Sequence, residues 1–278
     1  SESIRCFDRG RSSGYFQTEQ DAENFYQELT WLCANQYGSF NSPVWFNVGL
    51  FDVYHIDGSP HNYHWNDHLN KAVPCSNSYE YPQASACFIQ SVEDTMEDIM
   101  RLARSEAMLF KHGSGTGTDL STLRSSREKL SGGGRPSGPL SFMRVYDQIA
   151  AVIKSGGKTR RAAKMQSLKV GHPDIKEFIT CKTEEEKKAW ALIEQGYDPN
   201  VAYESIMFQN SNLSVRLTDD FLEAVEKDAS WTTRSITDGR ELDTYSARQL
   251  MQLIAEGTRI CGDPGVQYHS TINKWHTC

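Results

Sequence analysis

Apolar residues recur at helical spacing along several stretches of the chain and crowd into short runs between them. TEQD at Thr18 opens a stretch in which Phe25, Leu29 and Leu32 repeat every three to four residues, which predicts a helix over about 18–37. GSFNSPVWFNVGLF is turn-rich and then apolar, as in a loop leading into buried structure, and residues 52–82 have no period and read as a surface excursion. ASACFIQ (84–90) is an apolar run suited to a buried strand. VEDTMEDIMRLARSEAMLFKHG carries Ile99, Leu102, Met108 and Leu109 on one side and stops at a glycine, which predicts a second helix. FMRVYDQIAAVIKSG predicts another, and HPDIKEFITCKTEEEKKAWALIEQG a heavily charged one. QNSNLSVRLTDDFLEAVEKD reads as strand, threonine cap and helix, and SARQLMQLIAEGTRICGDPG as a helix with a glycine-rich end. Strands alternating with helices predict an α/β fold. No internal repeat is visible, which argues against a solenoid.

Composition narrows the class. At 278 residues the chain fits one large domain or two smaller ones, and 38% hydrophobic residues with six tryptophans exclude a disordered polypeptide. No apolar run approaches the ~18–20 residues of a membrane span, and SESIRCFDRG lacks a signal-peptide core, so no membrane association is expected. A net charge of −7 argues against a general nucleic-acid binder and makes any useful positive charge local. The seven cysteines are scattered without a C-x-x-C pair, as expected of reduced thiols in a cytoplasmic protein. A serine start and an end at TINKWHTC read as a segment of a longer polypeptide.

The candidate chemistry is concentrated in glycine-rich segments at 113–117, 132–138 and 155–157, each beside a predicted helix terminus. Glycine allows close backbone approach, and exposed N–H groups with Arg and Lys suit anions; solvated turns are the alternative. KSGGKTRRAAKM (154–165) fails the triphosphate-loop pattern, because Val152 stands where its first glycine belongs. SGTGTD likewise lacks the third glycine of a dinucleotide fingerprint. His61, His64 and His68 with Cys75 would need a helix to converge on a metal. Pro60 and the Asn/Asp content favour a loop there, and no metal site is expected. Cys87, in an apolar run, is either a packed thiol or a reactive one. Spacing alone carries the reading to an α/β enzyme-like chain with anion-binding loops.

The ordered segments NSPVWFNVGL, SACFIQSVED, FKHGSGTGTDLSTLR, LSGGGRPSGPLSFM, IKSGGKTRRAAKM, HPDIKEFI, QNSNLSVRLTDDF and DPGVQYHSTINKWHTC resemble the catalytic subunit of ribonucleotide reductase, in its adenosylcobalamin-dependent (class II) branch. The resemblance implies the first half of a ten-stranded α/β barrel with flanking helices. Residues 1–14 would be the end of an upstream segment or a linker, and 15–278 the partial barrel domain. It implies reduction of ribonucleotides, as diphosphates, to 2′-deoxyribonucleotides by thiyl-radical chemistry. Cys87 matches the first cysteine of the reducing pair. Ser42, Pro43, Ser85, Ala86, Gly115 and Gly117 match substrate-lining positions. Asp94 matches the carboxylate that holds an allosteric deoxynucleotide effector, with Lys111, Arg124 and Arg135 as phosphate contacts. Lys158, Thr159, Arg160 and Arg161 fall in the loop that relays effector identity to the substrate. Partners implied are dNTP or ATP effectors, the remainder of the reductase chain, a second copy in a homodimer and a thioredoxin-type reductant. The Asn-Pro-Cys-Ser-Glu motif of the radical cysteine is absent, so the segment alone is expected to be inactive. A non-catalytic deoxynucleotide-binding module and a class I large-subunit fragment are the alternatives.

Overall fold

The computed structural model describes residues 14–60, 62–130, 132–153 and 163–276, which form two compact units divided after Ala86. In the first unit, α1 (Glu19–Ala34) starts at a capping box: Thr18 Oγ1 accepts from the Asp21 N–H at 3.1 Å, while the Asp21 carboxylate accepts from the Thr18 N–H at 3.0 Å. The helix is as expected but its burial is not. Only Ala22 is buried, and Phe25 and Leu32 stay exposed. α2 (Ser42–Asn47) begins with Pro43 in its first turn and is tied by the Asn47 amide to the Gln83 carbonyl at 3.2 Å. The stretch read as an aperiodic excursion contains a short antiparallel hairpin, β1 (Tyr63–Asn66) and β2 (Lys71–Pro74). His64 on β1 stacks on Tyr81 with ring centroids 3.6 Å apart, and Asn77 accepts from the Gly58 and Tyr79 N–H groups while donating to Asp57.

The second unit is built on a parallel sheet of five strands with helices packed on one face. Along the chain run β3 (Cys87–Gln90), α3 (Met96–Lys111), β4 (Gly115–Asp119), α4 (Gly138–Val152) and β5 (Lys164–Lys169). They are followed by α5 (Ile175–Glu194), α6 (Pro199–Ser205), β6 (Ser211–Leu217), α7 (Asp219–Glu226), the hairpin β7 (Ser230–Arg234) and β8 (Glu241–Ser246), α8 (Ala247–Cys261), β9 (Gly265–Tyr268) and α9 (His269–Trp275). The sheet order β3-β4-β5-β6-β9 follows chain order without reversal. Parallel crossovers are right-handed almost without exception, so such an order sends every crossover helix to the same face.

Side-chain alternation identifies the two faces. Leu213, Val215 and Leu217 of β6 and Leu168 of β5 join Leu102, Met143, Tyr146, Ile175, Phe178 and Phe221 in the core under the helices. The register Cys87↔Gly115, Ile89↔Gly117, Gly117↔Met165 and Met165↔Asn212 puts Cys87, Gly115, Gly117, Met165 and Asn212 on the opposite, helix-free face. The two outer strands, β3 and β9, leave Ile89 (84% exposed) and Val266 uncovered.

Two sequence expectations change here. The glycine-rich 113–117 segment is not a loop: Gly115–Asp119 is an inner strand paired on both sides, which glycine permits because it lets neighbouring backbone approach closely. ASACFIQ is not fully buried either, because β3 lies at the sheet edge and Cys87 is exposed.

One acidic side chain fastens the hairpin to the loop after β4. The buried Glu128 carboxylate accepts from the N–H groups of Ser125 (2.8 Å), Ile236 (3.1 Å) and Thr237 (3.0 Å) and from the hydroxyls of Ser235 (2.8 Å) and Thr237 (2.5 Å). Burial alone would raise its pKa, but these donors outweigh burial and hold it at about 2. A depressed carboxylate contributes stability above its unfolded pKa and loses it as pH falls through the folded value. Glu128→Gln is therefore expected to destabilise the fold by about 3 kcal/mol near pH 7. The gap from wild type should shrink as pH approaches 2, which thermal unfolding of both proteins at a series of pH values will read.

Candidate functional site

Cys87 opens β3 at the edge of the helix-free face, opposite Gly115 in register. A Cβ on Gly115 would stand 3.1 Å from Cys87 Sγ and 2.9 Å from the Ala163 carbonyl oxygen, so glycine is what lets the thiol and that carbonyl lie this close to β4. The Ala163 carbonyl is fixed there by accepting the Thr116 N–H at 2.9 Å. Gly117, one step along the same face, is less constrained: its Cβ would make ordinary contact with Met165 Cε at 3.7 Å. Asn212, Ser214 and Gln267 share this face, Gln267 donating to Met165 Sδ at 3.7 Å. They were not singled out in the sequence, although the alternation in SNLSVRL places Asn212 and Ser214 together. Of the remaining substrate candidates, Ser42 and Pro43 start α2, and Ser85 and Ala86 end the first unit, where the Ser85 carbonyl accepts from the Gln83 amide at 2.9 Å.

A second cluster lies in the turn between β3 and α3. Asp94 immediately precedes Thr95, the α3 cap, whose hydroxyl accepts the Asp98 N–H at 3.2 Å. The Asp94 carboxylate ion-pairs with the Arg124 guanidinium and accepts the Arg124 backbone N–H at 3.2 Å. Two effector candidates are thus brought together. Both side chains keep about a quarter of their surface open, so the pair remains accessible.

The segment carrying Arg124 is held from below. Asp174 accepts from the Ser125 hydroxyl (2.7 Å) and the Ser126 N–H (3.0 Å), and the His172 ring contacts the Leu123 carbonyl at 2.8 Å. Burial pulls the His172 pKa below its usual value, leaving a neutral ring for these contacts. Gly138, at φ +73°, starts α4 where a Cβ would stand 2.9 Å from both Asp174 Oδ2 and the Ser126 nitrogen.

The other effector candidates do not join this pair. Lys111 closes α3, and a 16-residue helix places it about 24 Å from the Asp94 end at 1.5 Å per residue. Arg135 is exposed in the segment leading to α4. Lys158, Thr159, Arg160 and Arg161 lie outside the described residues.

A parallel sheet of five strands in chain order, with a thiol on its helix-free face and an acid–arginine turn at the head of the first crossover helix, has the form of part of an α/β barrel. The chain belongs to the ribonucleotide reductase family: the family described as "Ribonucleotide reductase, barrel domain" matches residues 85–278. It is 66% identical over 276 residues to the vitamin B12-dependent ribonucleotide reductase of Rhodopirellula baltica, covering 98% of this chain and 26% of that protein. The corresponding reductase of Streptomyces clavuligerus is 43% identical over 272 residues, covering 97% of this chain and 25% of that one. The chain thus spans about a quarter of the length of these curated relatives. The alpha subunit of the class Id ribonucleotide reductase of Actinobacillus ureae has a similar fold, with a TM-score of 0.56 at 19% identity, over 98% of this chain and 37% of that subunit. No helix among the described residues is long and apolar enough to cross a membrane.

Proposed function

We propose that this chain is the part of an adenosylcobalamin-dependent ribonucleotide reductase that carries one reducing thiol and the effector-sensing turn, with ribonucleoside diphosphates as substrates. The observation that carries the reading is the exposed Cys87 on the helix-free face, opposite Gly115, which sets no side chain beside the thiol. In the complete enzyme, adenosylcobalamin supplies the radical that starts the reaction. The residues of this chain act on the sugar. Cys87 and a second thiol from elsewhere in the reductase together give up two electrons and two protons. The 2′-hydroxyl leaves as water, hydrogen takes its place on C2′, and the two sulfurs close to a disulfide.

The donors on the sheet face fit this role. The Asn212 amide and Ser214 hydroxyl can hydrogen-bond a sugar, and the absence of a side chain at Gly115 lets C2′ approach the thiol. Gly117 is assigned to the wall around the ribose and base, and Ser42, Pro43, Ser85 and Ala86 keep the substrate role that the resemblance implies. Cobalamin brings its own cobalt ligands and needs a broad covering surface, which we assign to the remainder of the reductase. Supplying the complete enzyme with ribonucleoside diphosphates or triphosphates, each with adenosylcobalamin and dithiol, should yield deoxynucleotide from the diphosphates. Turnover of triphosphates alone would contradict that assignment.

A deoxynucleotide effector is assigned to the Asp94–Arg124 turn, where the carboxylate can accept a sugar hydroxyl and the arginine can turn to phosphate. Asp94→Ala is expected to weaken binding of dTTP or dATP to the complete enzyme at least tenfold by calorimetry. Unchanged affinity would remove Asp94 from the site. Alongside that turn, α3 and α4 present exposed Met100, Met108, Val145 and Val152 (71% exposed), an apolar face suited to a second copy of the chain. Val145→Asp is expected to convert a homodimeric reductase to monomer in light scattering.

A further inference from the structure

Between α3, β4 and β5 an acid and a base are buried completely. The side chains of Glu106 and Lys164 have 0% exposure and form an ion pair. Glu106 Oε1 also accepts from the hydroxyls of Thr116 (3.2 Å) and Thr118 (3.3 Å) on β4. Lys164 Nζ lies 4.8 Å from the centre of the Tyr146 ring, and the Tyr146 hydroxyl donates to the Ile99 carbonyl in α3 at 3.2 Å. Next along α4, Asp147 accepts from the Asn210 N–H (3.0 Å) and the Ser211 hydroxyl (2.8 Å), and Ser211 in turn accepts from Gln166 on β5 at 3.0 Å. One polar network therefore ties two helices to the amino ends of three adjacent strands.

Stability does not explain this arrangement. Taking both charges out of water costs about what their attraction returns, and apolar residues of the same size serve a core as well or better. What the pair does is fix position. Lys164 is the first residue of β5, and the carbonyl of the preceding Ala163 bounds the space shared by Gly115 and Cys87. Glu106 sits three turns into α3, whose first turn follows directly on Asp94. A continuous path of contacts thus leads from the Asp94–Arg124 turn, along a 16-residue helix, to the Ala163 carbonyl beside the Cys87 thiol.

We propose that Glu106 and Lys164 are positioning residues that couple the Asp94–Arg124 turn to the backbone beside Cys87. When an effector engages Asp94 and Arg124 and shifts α3, Glu106 carries the shift to Lys164 and so moves the Ala163 carbonyl beside the thiol. The coupling rests on the function proposed above, and it provides a route to the substrate through packed elements. It acts beside the relay assigned to Lys158, Thr159, Arg160 and Arg161.

The test uses the complete reductase carrying Glu106→Leu together with Lys164→Met, which removes both charges and keeps the volume. The readout is the effector-induced change in the ratio of kcat/KM for two competing substrates, measured beside effector affinity. The double variant is expected to bind dTTP within about twofold of wild type and to lose at least fivefold of the effector-induced change in selectivity. Thr118→Val, which removes a single hydroxyl from Glu106, is expected to lose part of it and gives the same readout if the double variant does not fold. Normal effector binding with a full selectivity response in the variants overturns the coupling while leaving the function intact. Failure of the unsubstituted enzyme to bind dTTP, or binding that ignores Asp94→Ala, overturns the effector assignment and the coupling with it.

Discussion

Replacing Cys87 by serine in the complete reductase is expected to lower dithiol-supported deoxynucleotide formation by about a thousandfold or more, the scale of losing a reacting group. A hydroxyl matches the thiol in shape but cannot close a disulfide, so the two electrons that remove the 2′-oxygen have no source. Because Cys87 lies exposed at a sheet edge, outside the buried core cluster, the thermal unfolding midpoint should stay where it is. Substrate affinity should also change little. A large loss of kcat with KM and stability preserved is the signature of a group used in the reaction. A parallel fall in stability would assign Cys87 a packing role instead.

The second large effect is expected at Gly115. In Gly115→Ala the new methyl would stand 2.9 Å from the Ala163 carbonyl oxygen and 3.1 Å from Cys87 Sγ. The carbonyl belongs to the backbone and is held by the Thr116 N–H, so it cannot swing away. Either β5 moves outward or the thiol turns from its position. Overpacking of this kind costs about 1–3 kcal/mol. A thiol displaced by about 1 Å loses about a hundredfold in rate. Steady-state kinetics and thermal unfolding of this one variant separate the two consequences. Activity near wild type would mean that the space beside Cys87 is not where substrate sits.

The helices were legible because their signals are local. Thr18 caps α1 as its sequence announces, α3 ends just before Gly113, and α8 stops at Gly262. The strand–cap–helix reading of SNLSVRL followed by Thr218 also holds in β6 and α7. β4 and β5 were hidden because their composition serves other ends. Glycines at 115 and 117 look like a loop until Cys87 and Ala163 are seen beside them. Lys164 and Gln166 look like surface until Glu106 and Ser211 are seen facing them. The β7–β8 hairpin gave no apolar alternation, and its attachment depends on Glu128, about a hundred residues away in the chain. Cys87 was identified by resemblance and not by pattern, since a thiol in an apolar run is more often a packed one. Asp94 and Arg124 were singled out by the same resemblance as separate effector contacts, but their ion pair was not, and the distance from Asp94 to Lys111 is a property of helix length that the motif concealed.

The central claim is that Cys87 gives up electrons to the substrate, and a single turnover tests it most directly. Complete reductase, reduced beforehand and freed of dithiol, is mixed with adenosylcobalamin and one equivalent of ribonucleoside diphosphate, then quenched with an alkylating agent. Peptide mapping should recover Cys87 in a disulfide, in an amount equal to the deoxynucleotide formed. Deoxynucleotide formed in full while Cys87 is recovered alkylated, as a thiol, would contradict the account.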